Sequence, residues 1–175
     1  MAKVTLELIQ QLRDRTGMGM LDCKNALVET DGDIEKAIET LRKKGVLIAA
    51  KRSGNKTAEG LIHAYIHPGS RVGVLLELNC ETDFVARTDE LKKFAADICL
   101  HIAAMNPSYL RAEDVDPKLL EGNVNATALY NESCLLNQPF VKNSKFTIDQ
   151  VLKEMIGKIG ENIVIRRFTR YEIGA

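Results

Sequence analysis

The spacing of apolar positions separates a helical first stretch from a mixed remainder. Leu8, Ile9 and Leu12 form one stripe, with Thr5 placed to cap the helix and Gly17 to stop it. Leu21, Ala26 and Leu27 mark a second helix. Asp33 can cap a third, in which Ile34, Ala37, Ile38 and Leu41 fall at i, i+3, i+4 and i+7 and Gly45 is expected to close it. Met18 and Met20 flank Gly19 in the first turn. They either cover a very small core or face a partner, because Met adapts to irregular surfaces. The composition then turns basic, small and polar over Lys51-Arg52-Ser53-Gly54-Asn55-Lys56. That run reads as a solvated linker or as a contact for an acidic partner. The expected division is a three-helix module with its linker over 1–54 and a core domain over 55–175.

In the core the period drops to two. Leu61, His63 and Tyr65 alternate with Ile62, Ala64 and Ile66, and a second apolar run covers Arg71 to Asn79, so a hairpin is expected over 58–79. His63 and His67 are read as surface residues of that hairpin. Thr88, Asp89 and Glu90 open a helix over 88–105, striped by Leu91, Phe94, Ala95, Ile98, Ile102 and Met105. His101, beside that stripe, is read as helix surface. Residues 108–145 are irregular: Pro117, Gly122, Asn123 and Asn125 interrupt them, a short helix fits within Ala126–Leu136, and Pro139 and Asn143 point to a loop. Thr147 and Gln150 have capping-box spacing and open a helix over 147–159. A last strand over 162–172 carries Ile163, Val164, Ile165 and Phe168, with Arg166, Arg167 and Arg170 as edge protection or a phosphate contact. The fold class is α+β.

One stretch does not fit a packing role at once. Between the second strand and the 88–105 helix lies Asn79-Cys-Glu-Thr-Asp-Phe-Val-Ala-Arg87. Phe84 there either folds back as a core anchor or points outward as a wedge for a partner.

Composition narrows the function. Lys plus Arg and Asp plus Glu number 24 each, so the chain has no bulk field for nucleic acid. Aromatics are 5% with no Trp, which argues against a base-stacking platform. The 4 cysteines, Cys23, Cys80, Cys99 and Cys134, are scattered and read as buried thiols, not as a zinc site or disulfide framework. No run is long and apolar enough for a membrane span, and no secretory or transit pattern opens the chain. No phosphate-binding Gly loop, nucleophile elbow or zinc-helix motif occurs, and no acid pairs with a His at useful spacing. The pattern favours a binding protein over an enzyme, with no catalytic residue, metal or cofactor expected.

Four blocks, in order, resemble the elongation factor Ts family of bacteria and organelles. They are Arg15-Thr-Gly-Met-Gly-Met-Leu-Asp-Cys-Lys24, Asn79-Cys-Glu-Thr-Asp-Phe-Val-Ala86, Cys134-Leu-Leu-Asn-Gln-Pro-Phe-Val141 and Lys158-Ile-Gly-Glu-Asn-Ile-Val-Ile-Arg-Arg-Phe168. The resemblance implies an N-terminal three-helix ubiquitin-associated-like module and a core with a three-stranded antiparallel sheet packed with helices. It implies a cytoplasmic or organellar translation factor that exchanges guanine nucleotide on elongation factor Tu, in its GDP-bound and nucleotide-free states, without nucleic acid or membrane contact. Thr82, Asp83, Phe84 and Val85 match the turn that presses an aromatic into the GTPase and disturbs its magnesium and phosphate site. Arg13, Met20, Leu21 and Lys24 match module positions that touch the partner, and Ile159 and Gly160 match core positions against it. The helix after Phe84 and the strand before it already supply core residues, so with the resemblance Phe84 is expected to point outward. The chain resembles the short form, whose members pair as homodimers, and is read as shortened between Asp116 and Asn125, where many relatives carry a charged helical arm. The alternative reading is a helical adaptor whose first module binds ubiquitin-like or other helical partners.

Overall fold

A computed structural model describes residues 4–121 and 125–174. Gly122 and Asn123, read as helix breakers, and the end of the trimmed 116–125 segment lie outside the described residues. The chain forms two compact units, Met1–Gly54 with Lys153–Glu161, and Asn55–Leu152 with Asn162–Ala175.

The first unit is built on α1 (Leu6–Thr16), α2 (Met20–Glu29) and α3 (Ile34–Arg52). Thr5 accepts from the Leu8 N–H and Asp33 from the Lys36 N–H, so each cap satisfies an otherwise orphaned donor. Gly17, at φ +66°, ends α1 in the left-handed conformation that glycine adopts without strain. Ile9, Leu12, Met18, Cys23, Ala26, Leu27, Ala37 and Leu41 make the core. Helix α3 does not stop at Gly45 as the pattern suggested but runs on to Arg52, so Lys51 and Arg52 are helical. Gly45 has a packing role instead. A Cβ on the facing Gly157 would lie 2.4 Å from the Gly45 Cα, so two helix backbones meet there. Close by, Arg42 Nε donates to Glu154 Oε1 at 2.6 Å.

The second unit holds a three-stranded antiparallel sheet in the order β1 (Glu59–Ile66), β2 (Val72–Cys80), β5 (Ile163–Glu172). Val74, Leu76, Leu78 and Cys80 alternate inward along β2 and are buried. Helix α5 (Asp89–Met105) packs on β1 and β2, burying Leu91, Phe94, Ala95, Ile98, Cys99, Ile102 and Ala103. Thr88 caps its start, and Arg170 of β5 donates to the Ala103 carbonyl near its end. The opposite sheet face carries Ile62, Ile66, Leu75 and Tyr171, all exposed, while Leu61, His63 and Tyr65 on the inward face of β1 are half-buried. Between Asp83 and Ala86 lies a four-residue helix, α4, which the pattern did not separate from the turn.

The described residues of 108–145 hold more regular structure than expected. Helix α6 spans Ala126–Ser133, and the segment read as a loop around Pro139 and Asn143 is a two-stranded ribbon, β3 (Pro139–Phe140) with β4 (Asn143–Thr147). Helix α7 (Ile148–Ile159) follows, and its capping box is formed. The Thr147 N–H donates to Gln150 Oε1 at 2.9 Å and the Gln150 N–H to Thr147 Oγ1 at 3.3 Å.

His101 corrects the surface reading, because it is fully buried. Nε2 lies 2.9 Å from Gln138 Oε1, and Nδ1 accepts the Val141 N–H at 3.1 Å. Gln138 Nε2 donates to the Glu132 carbonyl at 2.6 Å, which leaves its Oε1 as acceptor. The ring is therefore the neutral Nε2–H tautomer, pinning the ribbon to α5. Burial holds its pKa below the usual 6.5, partly offset by the bond to Gln138.

Candidate functional site

The turn around Phe84 is anchored at both ends. Strand β2 ends at Cys80, whose Sγ contacts the Thr82 carbonyl at 3.1 Å. Thr82 is extended, at φ −124° and ψ 153°, and its Oγ1 accepts the Val85 N–H at 3.4 Å. At the other end Thr88 Oγ1 donates to the Val85 carbonyl at 2.8 Å. Ala86 is the buried residue of α4, Val85 is half-buried, and Phe84 is 81% exposed. Asp83 pairs with Arg87 at 2.9 Å. Both side chains are solvated, so that pair is worth well under about 1 kcal/mol and leaves the carboxylate open to a competing partner. The turn is thus a short, capped peg that holds a phenyl ring in water.

In the first unit, Arg13 and Lys24 are exposed, Met20 is 49% exposed and Leu21 68% exposed. Met18, by contrast, is buried in the module core. The two methionines around Gly19 therefore divide the alternatives left open by the sequence. Ile159 and Gly160, half-buried, belong to this same unit, although the sequence assigned them to the core. Gly160, at φ +80°, closes α7. The aliphatic end of Lys158 lies where a Cβ on Gly17 would sit, so the end of α7 borders the turn that leads into Met20. Ile159 and Gly160 thus fall in the same unit as the module positions, whereas Thr82–Val85 lie in the second unit.

One group was not legible in the sequence. Glu81 Oε1 accepts the Asn162 N–H at 2.6 Å, Oε2 accepts from Asn55 Nδ2 at 2.9 Å, and Asn162 Nδ2 donates to the Asn55 carbonyl at 3.0 Å. These partners are far apart in sequence, and the only local hint was an acid at the end of an apolar strand.

Among the described residues no group of His, Cys, Asp or Glu is set to hold a metal ion. The four cysteines are buried and free, and burial pushes the Cys99 thiol up to about 12, far from a reactive thiolate. Among the described residues no helix is long and apolar enough to cross a membrane. The structure presents an exposed aromatic on an anchored turn and, on the helical module, the exposed side chains of Arg13, Met20, Leu21 and Lys24. Both are features for binding.

The family model described as Elongation factor TS matches residues 8–128 and 117–174. The chain is 50% identical over 194 residues to the elongation factor Ts of Carboxydothermus hydrogenoformans, covering 98% of this chain and 89% of the relative. It is 48% identical to that of Caldanaerobacter subterraneus, covering 98% and 97%. For that of Desulfitobacterium hafniense the identity is 51%, covering 99% and 91%. An alignment of 194 positions exceeds a chain of 175, so these relatives carry residues with no counterpart here. The two family matches overlap over residues 117–128. Matched nearly end to end at about half identity, the chain belongs to the elongation factor Ts family of translation elongation factors.

Proposed function

We propose that this protein is the guanine-nucleotide exchange factor of elongation factor Tu and that Phe84 is its wedge. The observation that carries the proposal is the 81% exposure of Phe84 on a turn whose other residues are capped or packed. Left in water, a Phe forgoes about 1.5–3 kcal/mol available on burial, and insertion into a partner recovers it. Pressed into the GTPase domain beside the magnesium and phosphate site, with Thr82, Asp83 and Val85 around it, the ring favours a conformation that holds nucleotide poorly. Arg13, Met20, Leu21 and Lys24 of the module, with Ile159 and Gly160, supply a second contact.

The mechanism is linkage. A factor that binds nucleotide-free partner more tightly than GDP-bound partner must weaken GDP affinity by the same ratio. Each tenfold weakening requires about 1.4 kcal/mol of differential binding. Burial of Phe84 can therefore account for about one to two decades, and the module and α7 contacts must provide the rest. No covalent bond is made or broken, so the protein is not an enzyme of reaction chemistry, and it acts in the cytoplasm or organelle where its partner works. The domain at 1–54 serves as the docking module and the core at 55–175 as the wedge carrier.

We also propose that the chain pairs with a second copy through the exposed sheet face. Ile62, Ile66, Leu75 and Tyr171 form an apolar surface there, and antiparallel sheets with two apolar faces call for a cover on each.

The exchange function is tested by stopped-flow release of a fluorescent GDP from elongation factor Tu. Acceleration that saturates with added protein is expected. Unchanged release at saturating protein contradicts the proposal and returns the helical-adaptor reading.

A further inference from the structure

We propose that Glu81 is a positioning residue for exchange, a clasp that holds the Phe84 turn at the place where the chain enters the second unit. The proposal rests on the wedge reading above and adds a residue that does not touch the partner.

Glu81 stands two residues before Asp83, where α4 begins. A helix of 4 residues has no cooperative stability of its own, so its ends dictate where it points. The carboxylate of Glu81 fixes the first of those ends. Its two oxygens accept from different segments, the Asn162 N–H at 2.6 Å and Asn55 Nδ2 at 2.9 Å. An ionised carboxylate only accepts, which forces the Asn55 amide to turn its NH2 inward. Bonds to an ionised acceptor are the short, strong kind, and two of them from different directions leave Glu81 no rotamer freedom. The ring closes through Asn162 Nδ2, which donates to the Asn55 carbonyl at 3.0 Å. Asn162 is only 5% exposed, so its N–H and amide would be left without partners if Glu81 and Asn55 moved away.

The identity of the clasped segments matters. Asn55 is the first residue of the second unit, directly after Gly54, and Asn162 is the residue at which the chain re-enters it after Lys153–Glu161. Ile159 and Gly160 therefore sit just ahead of one clasped residue, and the linker from the module just ahead of the other.

The test is a double-mutant cycle on the full chain, read as the maximal rate of fluorescent GDP release from elongation factor Tu. Glu81→Ala is expected to lower that rate by about tenfold or more, as small misplacements of a working group do. In a Phe84→Ala background the same change is expected to have an effect below about twofold, because nothing remains to be positioned. Equal slowing in both backgrounds, or no slowing with Phe84 present, overturns the clasp. Wild-type speed in Phe84→Ala alone overturns the wedge reading itself, which separates the two failures. If Glu81→Ala does not fold, Asn55→Ala removes one donor and keeps the Asn55 carbonyl, and the same non-additivity is expected at smaller size. Hydrogen exchange gives a second readout: faster at the Val85 and Ala86 amides with α5 unchanged supports the clasp, and a rise throughout the unit contradicts it.

Discussion

At the scale of single residues, Phe84 and His101 make opposite cases. Phe84→Ala is expected to change stability by no more than about 0.5 kcal/mol, because an 81% exposed ring has little packing to lose. A core Phe→Ala costs about 3–5 kcal/mol, so a heavy fall in the thermal midpoint would sink the outward placement. The sequence could hint at this, because α5 and β2 visibly filled the core without it. His101 was illegible, since its partners lie 37 and 40 residues further along the chain. A polar ring beside an apolar stripe reads as surface until those partners are in place. Its role has a pH signature. Burial holds the folded pKa below 6.5, so between the two values the unfolded chain binds more protons and stability rises with pH. The stabilisation is present above the unfolded pKa and is lost as pH falls through the folded one. Protonation also puts a hydrogen on Nδ1, which faces the Val141 N–H. The thermal midpoint is expected to fall as pH drops below about 6.5, and the slope should flatten in His101→Gln. Parallel profiles for the two proteins would contradict the assignment.

At the scale of elements, the long periodic helices were legible and the irregular joints were not. Leu91 to Ile102 and Ile148 to Ile156 announce α5 and α7 because their stripes fill a whole helix face. Gly45 misled, because glycine serves equally as a stop and as a site of close approach, and only the facing Gly157 tells which. Gly157→Ala is expected to destabilise the protein by about 1–3 kcal/mol, since its Cβ would lie 2.4 Å from the Gly45 Cα. Gly54→Ala, which meets open space, is the control, and equal midpoints for the two variants would refute the contact. The doublet Arg166-Arg167 has an element-level cause as well. Leu78 pairs with Ile165 and Glu77 with Arg167, so Arg166 is the extra residue of a β-bulge. The bulge lets Ile165 and Phe168 sit opposite the inward-facing Leu78 and Leu76 although they are three apart, and it leaves two arginines between them. Arg167 bonds Glu77 at 2.6 Å and Arg170 the Ala103 carbonyl, roles that strict alternation could not have indicated.

At the scale of the whole molecule, the α+β class and the order of elements follow from the switch between helical and strand periods near Glu59. What the pattern could not supply is membership: Lys153–Glu161 joins the first unit although it directly continues a helix begun in the second. Periodicity reports which face of a helix is apolar and never which partner covers it. The same gap surrounds the exposed sheet face. If a second copy covers it, Leu75→Asp is expected to convert a dimer to a monomer in mass measurements, and an unchanged mass would remove that face from the interface. The exchange function concerns the full chain and its partner together, and one measurement reaches it directly. Release of fluorescent GDP from elongation factor Tu is followed at saturating wild-type and Phe84→Ala protein. Loss of the buried ring predicts a rate lower by about 10- to 100-fold, with both proteins melting at the same temperature. Equal release rates from two folded proteins would contradict the wedge at Phe84.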